Sequence, residues 1–397
     1  MRYLIDKTKI NWYSLILVTT IFLPFFYVKS VPFLIFLLLL FWILKNKSFK
    51  DSGTKFKFYF PYLFYALIFL VIFLLQDHSN SALKILERQT SFIILPFLIL
   101  FKDWSKLELI SFKKYYINTT LCIAVFSIIA LLYFYFTNVD FVNTMDETYL
   151  QWKLPHLLGF HPTYFGLAIV VANILNLTSL EKEQNILKKK AFYTSIFLTI
   201  YLIYLSPRTA VFCQILVWSW LVLSKAFVKK LFKFNKYGYL TGISIFITVV
   251  IFCSKYVINK FSNSISDRRF ILWKPALKAI KENHYIFGEG LGNGKVLINN
   301  YIQYNNLHQF EAPDLHNQYL MNYLDLGILG VFIILVILIF PLLFLKNKEL
   351  ILFLLVFSIA MLTESFLYVV KGVVFFLVLS CFFIINSSYK TQKLKKH

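Results

Sequence analysis

Residues 255–317 read KYVINKFSNSISDRRFILWKPALKAIKENHYIFGEGLGNGKVLINNYIQYNNLHQFEAPDLHN and form the longest polar stretch of the chain. On both sides of this stretch, long apolar runs alternate with short loops. The runs reach about twenty residues, the length that an α-helix needs to cross ~30 Å of hydrocarbon. Strands of a membrane barrel would instead alternate apolar and polar residues over ~10 positions. The sequence therefore predicts an all-α integral membrane protein.

Composition and charge agree with a membrane protein. Hydrophobic residues make up 59% of the chain and charged residues only 15%, against roughly 25% charged residues in soluble domains. The formal net charge of +22 is explained by basic cytoplasmic loops, and no nucleic-acid-binding module is recognisable. We expect membrane lipids, and no nucleic acid, as partners. The four cysteines are scattered and indicate neither a disulfide framework nor a metal cage.

The apolar runs predict about twelve transmembrane helices in a single polytopic membrane domain, residues 1–397. The spans are 11–28, 31–45, 58–75, 82–101, 115–136, 162–178, 191–205, 209–227, 239–257, 318–345, 349–364 and 367–386. One long loop, residues 258–317, lies between the ninth and tenth spans, and a shorter one covers residues 137–160.

Lysines are concentrated after the even-numbered spans and at the end of the chain. Cytoplasmic loops of membrane proteins collect Lys and Arg, so both termini are predicted to be cytoplasmic. The loop 258–317 then lies on the outer face. Its own positive charges do not contradict this, because long translocated loops are largely exempt from the charge rule.

Within the long loop, residues 267–283 are predicted to form an amphipathic helix. Apolar side chains recur at helical spacing at Phe270, Trp273, Leu277 and Ile280. Such a helix either lies on the outer membrane surface or caps the helix bundle.

Arginines on the outer face are candidates for binding an anion. Arg208 follows the short hinge Ser206-Pro207, where it either snorkels to the headgroups or binds phosphate through its planar guanidinium. Arg268 and Arg269 begin the loop helix, where positive charge is unfavourable unless an anion is bound. Arg269 is favoured because Trp273 follows four residues later on the same face; the choice between the two arginines stays open.

Histidines supply candidate bases. His316 stands at the outer end of the tenth span, and a neutral imidazole can accept a proton near neutral pH. Asp314 is close enough in sequence to orient it. The alternative is a boundary histidine that bonds a carbonyl. His161 occupies a similar position before the sixth span and ranks second.

The run GEGLGNG, residues 288–294, does not fit the dinucleotide fingerprint, which requires a preceding strand and a following helix of a βαβ unit. We interpret it as a flexible turn in which Gly288 and Gly290 let the backbone approach a substrate. No Asp-x-Asp pair occurs in the chain, which argues against a metal-dependent transferase. We expect no metal and no cofactor.

Four motifs together resemble the O-antigen ligase and polymerase family of bacterial polysaccharide assembly. They are SPRT at 206–209, Arg-x-x-x-Trp at 269–273, HYIFGEGLG at 284–292, and LHNQYL followed by DLGILG at 315–330. The resemblance is best over residues 160–345, which we expect to be the ligase-like core.

The resemblance implies a glycosyltransferase of the bacterial inner membrane that works without metal and inverts the anomeric carbon. The donor would be a glycan on undecaprenyl diphosphate, and the acceptor a hydroxyl of lipid A–core or of another glycan. Arg208 and Arg269 would hold the diphosphate charge, and His316 would act as the base on the periplasmic face. Arg268, Trp273, Asp314, His161, Gly288 and Gly290 are expected to contact the substrate.

Two alternatives remain. A polymerase of the same family would transfer the glycan to a second lipid-linked repeat. We favour a ligase because only one long external loop stands out. A polysaccharide transporter or flippase is the second alternative. Transporters tend to show internal repeats and polar mid-membrane residues, whereas this sequence shows no internal repeat and few polar residues within its spans.

Overall fold

The computed structural model describes residues 10–45, 52–76, 80–137, 161–179, 185–223, 268–283, 286–304 and 315–395. Across these ranges the regular structure is entirely helical. The α-helices are α1 Trp12–Phe26, α2 Val31–Lys45, α3 Ser52–Leu75, α4 Asn80–Gln89, α5 Ser91–Leu100, α6 Lys106–Thr137, α7 Pro162–Ser179, α8 Asn185–Leu205, α9 Arg208–Leu223, α10 Arg268–Asn283, α11 Asn293–Tyr304, α12 Gln318–Phe344, α13 Lys348–Met361 and α14 Val370–Lys395. Short 3-10 helices cover Val28–Ser30 and Phe366–Tyr368.

Among the described residues, four helices are long and apolar enough to cross a membrane: Lys55–Leu75, Lys106–Tyr133, Gln318–Phe344 and Val370–Thr391. Shorter apolar helices cover Trp12–Phe26, Val28–Leu44, Pro162–Thr178 and Lys190–Leu205. The all-helical membrane character is therefore confirmed. The total of twelve spans and the orientation of the termini stay predictions, and the ninth span, 239–257, lies outside the described residues.

The predicted fourth span, 82–101, is not one continuous helix. It is divided into α4 and α5 at Thr90, whose hydroxyl donates to the carbonyl of Glu87 at 2.6 Å. Such a side-chain bond competes with the helix's own backbone bonds. The end of α4 is also bonded to a distant segment, since the side chains of Arg88 and Gln89 donate to the carbonyls of Tyr368 and Leu367. Ten residues are too few to cross the hydrocarbon, so neither helix spans it alone.

The described part of the long loop contains two helices. The predicted helix 267–283 is present as α10, whose Leu272 and Ala276 are fully buried. This favours the capping alternative over a helix lying on the lipid surface. A second helix, α11, was not predicted. It begins at Asn293, so Gly294 belongs to a helix and the turn is confined to the residues before it. Most of the loop 137–160 lies outside the described residues.

By its internal contacts the chain divides into two compact units. The first unit comprises residues 1–123, 332–354 and 366–397, and the second comprises residues 124–331 and 355–365. The candidate site residues all belong to the second unit. The single-domain assignment and the bounds of the loop stay predictions.

In the first unit, the carboxylate of Glu349 is buried in the first turn of α13. It accepts from Lys113 of α6 at 3.0 Å and from Lys390 of α14 at 2.8 Å. The amide of Asn386 donates to it as well. One acid thus joins three helices through partners on both of its oxygens, which is how a buried charge is made tolerable.

In the second unit, α12 is interrupted at Gly327, whose φ of 67° and ψ of −156° are not helical. The carbonyls of Leu324 and Asp325 accept instead from the amides of Glu289 and Gly290, at 2.7 and 3.1 Å. The buried carboxylate of Asp325 accepts from the amides of Gly292 and Gly294 as α11 begins. The glycine turn is therefore fastened to the break in α12.

Only glycine fits on both sides of this contact. A Cβ on Gly288, where φ is +72°, would lie 2.5–2.6 Å from the backbone of α12, and one on Gly327 would lie 2.1 Å from the carbonyl oxygen of Ile286. Backbone atoms cannot move aside as a side chain can. The close approach made possible by these glycines is thus between two parts of the chain itself.

Candidate active site

Two helices of the second unit, α7 and α9, pack directly against each other. A Cβ on Gly166 of α7 would lie 2.6 Å from the ring of Pro207 and 2.8 Å from Ala210, so α7 passes directly against the start of α9. Deeper in the unit, the amide of Asn173 donates to Gln214 at 2.9 Å. These contacts pack the first part of α7 against the start of α9.

Backbone conformation marks the same region. Within the part of the chain that the structure describes, two non-glycine residues have φ in the left-handed region: Ser206 at 48° and His316 at 49°. Ser206 precedes Pro207 and Arg208 at the start of α9, and His316 precedes α12. Such conformations cost on the order of 1–3 kcal/mol and concentrate at functional sites. Both of the predicted motifs therefore contain a strained residue.

Glu364 is the acidic residue of this site, and it follows α13. The helix ends at Met361, three residues before the predicted end of the span, and the amides of Thr363 and Glu364 both bond the carbonyl of Ala360. The hydroxyl of Thr363 donates to that carbonyl too. Glu364 lies at the end of this tight turn. Its side chain is buried, with 7% of its surface exposed.

The Glu364 carboxylate joins the two residues that the sequence singled out most strongly. Nη2 of Arg269 lies 3.2 Å from Oε1, and Nδ1 of His316 lies 3.2 Å from Oε2. The Thr163 hydroxyl donates to Oε1 at 3.4 Å. Arg269 and His316 retain 28% and 31% of their side-chain surface, so the acid is covered while its two partners remain accessible.

The charges around Glu364 favour its ionised form. Burial of the carboxyl raises its pKa, but the hydrogen bond and positive charge of His316, together with Arg269 and His161, lower it more strongly. The net result is a pKa below the ordinary value of 4.5. Glu364 is therefore a carboxylate at neutral pH.

An ionised carboxylate can only accept hydrogen bonds. Nδ1 of His316, which faces Glu364, must therefore carry a hydrogen in both the protonated and the neutral ring. When the ring is neutral, its lone pair lies on Nε2, the nitrogen turned away from Glu364. A carboxylate that holds a histidine in this tautomer prepares it to accept a proton.

Three further hydrogen bonds hold the segment around His316. The indole of Trp273 on α10 donates to the carbonyl of Leu315 at 2.9 Å. The amide of Asn317 donates to the Ser365 hydroxyl at 3.1 Å, and the Asn317 side chain caps α12 through Leu320. Residues next to His316 and next to Glu364 are thus bonded directly to each other. The observed contact of the Trp273 N–H is with the backbone, and contact with substrate stays a prediction.

The other predicted residues are placed as follows. Arg208 is the first residue of α9 and is half-buried; the hydroxyl of its neighbour Thr209 lies 2.6 Å from that of Thr363, the residue before Glu364. His161 precedes α7 and acts electrostatically on Glu364. Of Arg268 the structure describes only the backbone, and Asp314 lies outside the described residues.

Gly288 and Gly290 lie in the turn that is fastened to α12. Their observed contacts are with the chain's own backbone, which accounts for glycine at position 288 without a substrate. A role in substrate binding stays a prediction for both residues.

Glu364 and Thr163 are the participants that the sequence analysis missed. Glu364 was included at the end of an apolar span, yet it is the one charged residue between Glu349 and Lys371. Ionisable residues in or beside membrane segments are costly and usually functional. That isolated charge was the available signal. Thr163 offers no comparable signal, because hydroxyl residues are common in membrane helices.

Comparison with known proteins adds to this geometry. Residues 191–335 match the family model described as O-antigen ligase. The match includes Arg208, Arg269, the glycine turn and His316, whereas His161 and Glu364 lie outside it. No curated protein matches the chain. The match confirms the resemblance drawn from the motifs.

Proposed function

We propose that the protein transfers a glycan from undecaprenyl diphosphate to an acceptor hydroxyl, in the manner of an O-antigen ligase. The observation that carries the proposal is the Glu364 carboxylate, which bonds Arg269 and His316 at 3.2 Å each. It unites a phosphate-binding side chain and an oriented base, residues that lie far apart in the sequence. The family match supports the same class of reaction.

In the proposed reaction, Nε2 of His316 accepts the proton of the acceptor hydroxyl as the oxygen attacks the anomeric carbon. A new glycosidic bond forms, and the bond from the anomeric carbon to the diphosphate oxygen breaks with inversion. The undecaprenyl diphosphate leaves with the electron pair. Glu364 keeps the proton on Nδ1 throughout and stabilises the imidazolium that develops.

Arginines are proposed to hold the negative charge of the leaving diphosphate. Arg269 bonds Glu364 through Nη2, and a guanidinium carries five N–H donors in a planar fork. Arg208 contributes a second positive charge at the start of α9, where the helix dipole also favours an anion. Since the leaving group is already a weak base, no acid and no metal ion enter this proposal.

The acceptor decides between a ligase and a polymerase. The family match is equally consistent with both. We propose lipid A–core as the acceptor because the sequence has a single long external loop, and a second lipid-linked repeat is the alternative. The donor face is proposed to be periplasmic, as the loop charges predict.

The test is transfer in vitro with purified protein, a labelled undecaprenyl-diphosphate glycan and EDTA. Either lipid A–core or a second lipid-linked repeat is the acceptor. Arg269→Ala and His316→Ala are compared with Lys281→Ala, which removes an exposed charge from α10. Transfer to lipid A–core that survives EDTA and is lost only in the first two variants would support a metal-independent ligase.

Other outcomes separate the alternatives. Elongated lipid-linked product would identify a polymerase. Absence of transfer to either acceptor, with the glycan moving across proteoliposome membranes instead, would contradict the transferase and support a transporter.

A further inference from the structure

The tip of the glycine turn carries two exposed apolar side chains, Ile286 and Phe287. They are 61% and 62% exposed. They adjoin Gly327, because the carbonyl oxygen of Ile286 and the amide of Phe287 are among the atoms nearest to it. The residue after that glycine, Ile328, is 56% exposed as well. Three large apolar side chains are thus exposed around one point of α12.

The depth of this point follows from the sequence of α12. An uncharged apolar run extends from Leu326 to Leu345, between Asp325 and Lys346. A run of about twenty residues matches the thickness of the hydrocarbon, ~30 Å. The outer limit of the hydrocarbon therefore lies near Leu326, and Ile328 faces lipid just inside it. The turn, which is bonded to residues 324 and 325, lies at the same level.

The backbone of the turn tolerates this level because its polar groups are bonded. Irregular backbone at membrane depth occurs only where protein satisfies it. Here the amides of Glu289 and Gly290 donate to carbonyls of α12, and those of Gly292 and Gly294 donate to the Asp325 carboxylate. The exposed side chains, those of Ile286 and Phe287, come just before these bonded amides in the sequence.

We propose that Ile286 and Phe287 insert into the outer edge of the bilayer and contact its acyl chains, so that the long external loop is anchored in the membrane beside α12. The partner is bulk bilayer lipid. The argument is continuity with the lipid-facing surface of a candidate span: Ile328 is exposed next to the turn within the apolar run. Burying two such side chains stabilises an interfacial contact. This proposal goes beyond glycan transfer and does not depend on it.

The test is fluorescence quenching in proteoliposomes. The native cysteines Cys122, Cys213, Cys253 and Cys381 are replaced, and single cysteines at positions 286 and 287 are labelled with an environment-sensitive fluorophore. Ile328→Cys is the lipid-facing control. Lys281→Cys, on the exposed face of α10, is the aqueous control. Each label is exposed to phospholipids brominated on the acyl chains and, separately, to aqueous iodide.

We expect positions 286 and 287 to behave like position 328, with quenching by brominated lipid several-fold greater than at position 281 and little quenching by iodide. Iodide quenching equal to that at position 281 would overturn the proposal, because the turn would then lie in water. Protection from both quenchers would overturn it too, because the tip would then be covered by protein or by a lipid that does not exchange with the bilayer. The readout needs no transfer activity, so its failure is distinct from failure of the proposed reaction.

Discussion

Two buried glutamates of this protein bind two basic side chains each, but the partners differ in kind. Glu349, near the start of α13, holds Lys113 and Lys390. Glu364, just past the end of the same helix, holds Arg269 and His316. Two lysine ammonium groups and an asparagine amide complete the first cluster, and all three come from helices. The second cluster joins residues from a loop helix and from two connecting segments.

The difference indicates how to tell a structural acid from a functional one. Lysine is a point charge that suits a fixed ion pair, whereas arginine presents a fork that matches phosphate and histidine can exchange a proton near neutral pH. The His316 backbone is also strained, with φ at 49°, while no residue of the Glu349 cluster has a positive φ among those described. We therefore infer that Glu349 serves stability and Glu364 serves chemistry.

The largest expected effect is the loss of transfer rate when the proposed base, His316, is removed. His316→Ala should lower the transfer rate by about 10²–10⁴-fold, the usual contribution of general base catalysis, and leave the melting temperature close to that of wild type. The measurement is initial rate per folded protein, with Lys281→Ala as the control. A rate close to that of wild type would mean that His316 is a boundary histidine and that the two clusters are alike.

The second-largest effect on the transfer rate is expected from removing the charge of Arg269. Arg269→Ala is expected to reduce transfer by about 10²–10³-fold, as loss of a group that stabilises developing charge does. Arg269→Lys should recover part of that loss, since it keeps the charge but not the fork. Rates are measured over a range of donor concentrations. Full activity of the lysine variant would show that Arg269 acts as a simple ion-pair partner, as Lys113 does for Glu349.

Removing the charge of Glu349 should affect stability instead. Glu349→Gln leaves Lys113 and Lys390 without their shared acid, and disruption of a buried pair costs about 3 kcal/mol at the lower end of the usual range. The lysines are partly exposed, which limits the loss. We expect a lower melting temperature in detergent with near-normal transfer by the protein that remains folded. Normal stability with impaired transfer would reverse the assignment.

The smallest expected effect is a change of melting temperature with pH that arises from protonation of Glu364. Its pKa in the folded protein lies below the ordinary 4.5, so its charge contributes stability above that value and the contribution is lost as pH falls through the lower, folded pKa. The melting temperature of wild type should therefore exceed that of Glu364→Gln above pH 4.5. The difference should shrink at more acid pH. A difference that grows on acidification would contradict the depressed pKa.

Much of the architecture could be predicted because membrane helices leave a strong signal. The apolar runs at α1, α2, α7 and α12 were located within a few residues. The fold of the loop was harder. Helix α11 has mixed composition and depends on Asp325, a residue of another helix, to accept its first amides. The end of α4 is likewise held by side-chain contacts with distant carbonyls.

The site could be predicted in part, because arginine and histidine at the outer ends of spans are chemically distinctive. Which acid orients His316 could not be read from sequence neighbours. The acid at Nδ1 is Glu364, 48 positions away, whereas Asp314, the nearest candidate in the sequence, lies outside the described residues. A pairing across that distance is decided by how the segment before α12 meets the turn after α13, and only the three-dimensional fold contains that information.

The most direct test of the account compares Glu364→Gln with Glu349→Gln in one experiment, with transfer rate and melting temperature measured on the same preparations. Glu364→Asp is included as the conservative variant. The account predicts that Glu364→Gln keeps its melting temperature near neutral pH within a few degrees but loses most of its transfer rate, that Glu364→Asp recovers part of that rate, and that Glu349→Gln shows the reverse pattern. Wild-type transfer by folded Glu364→Gln would contradict the central claim that this carboxylate prepares His316 for catalysis.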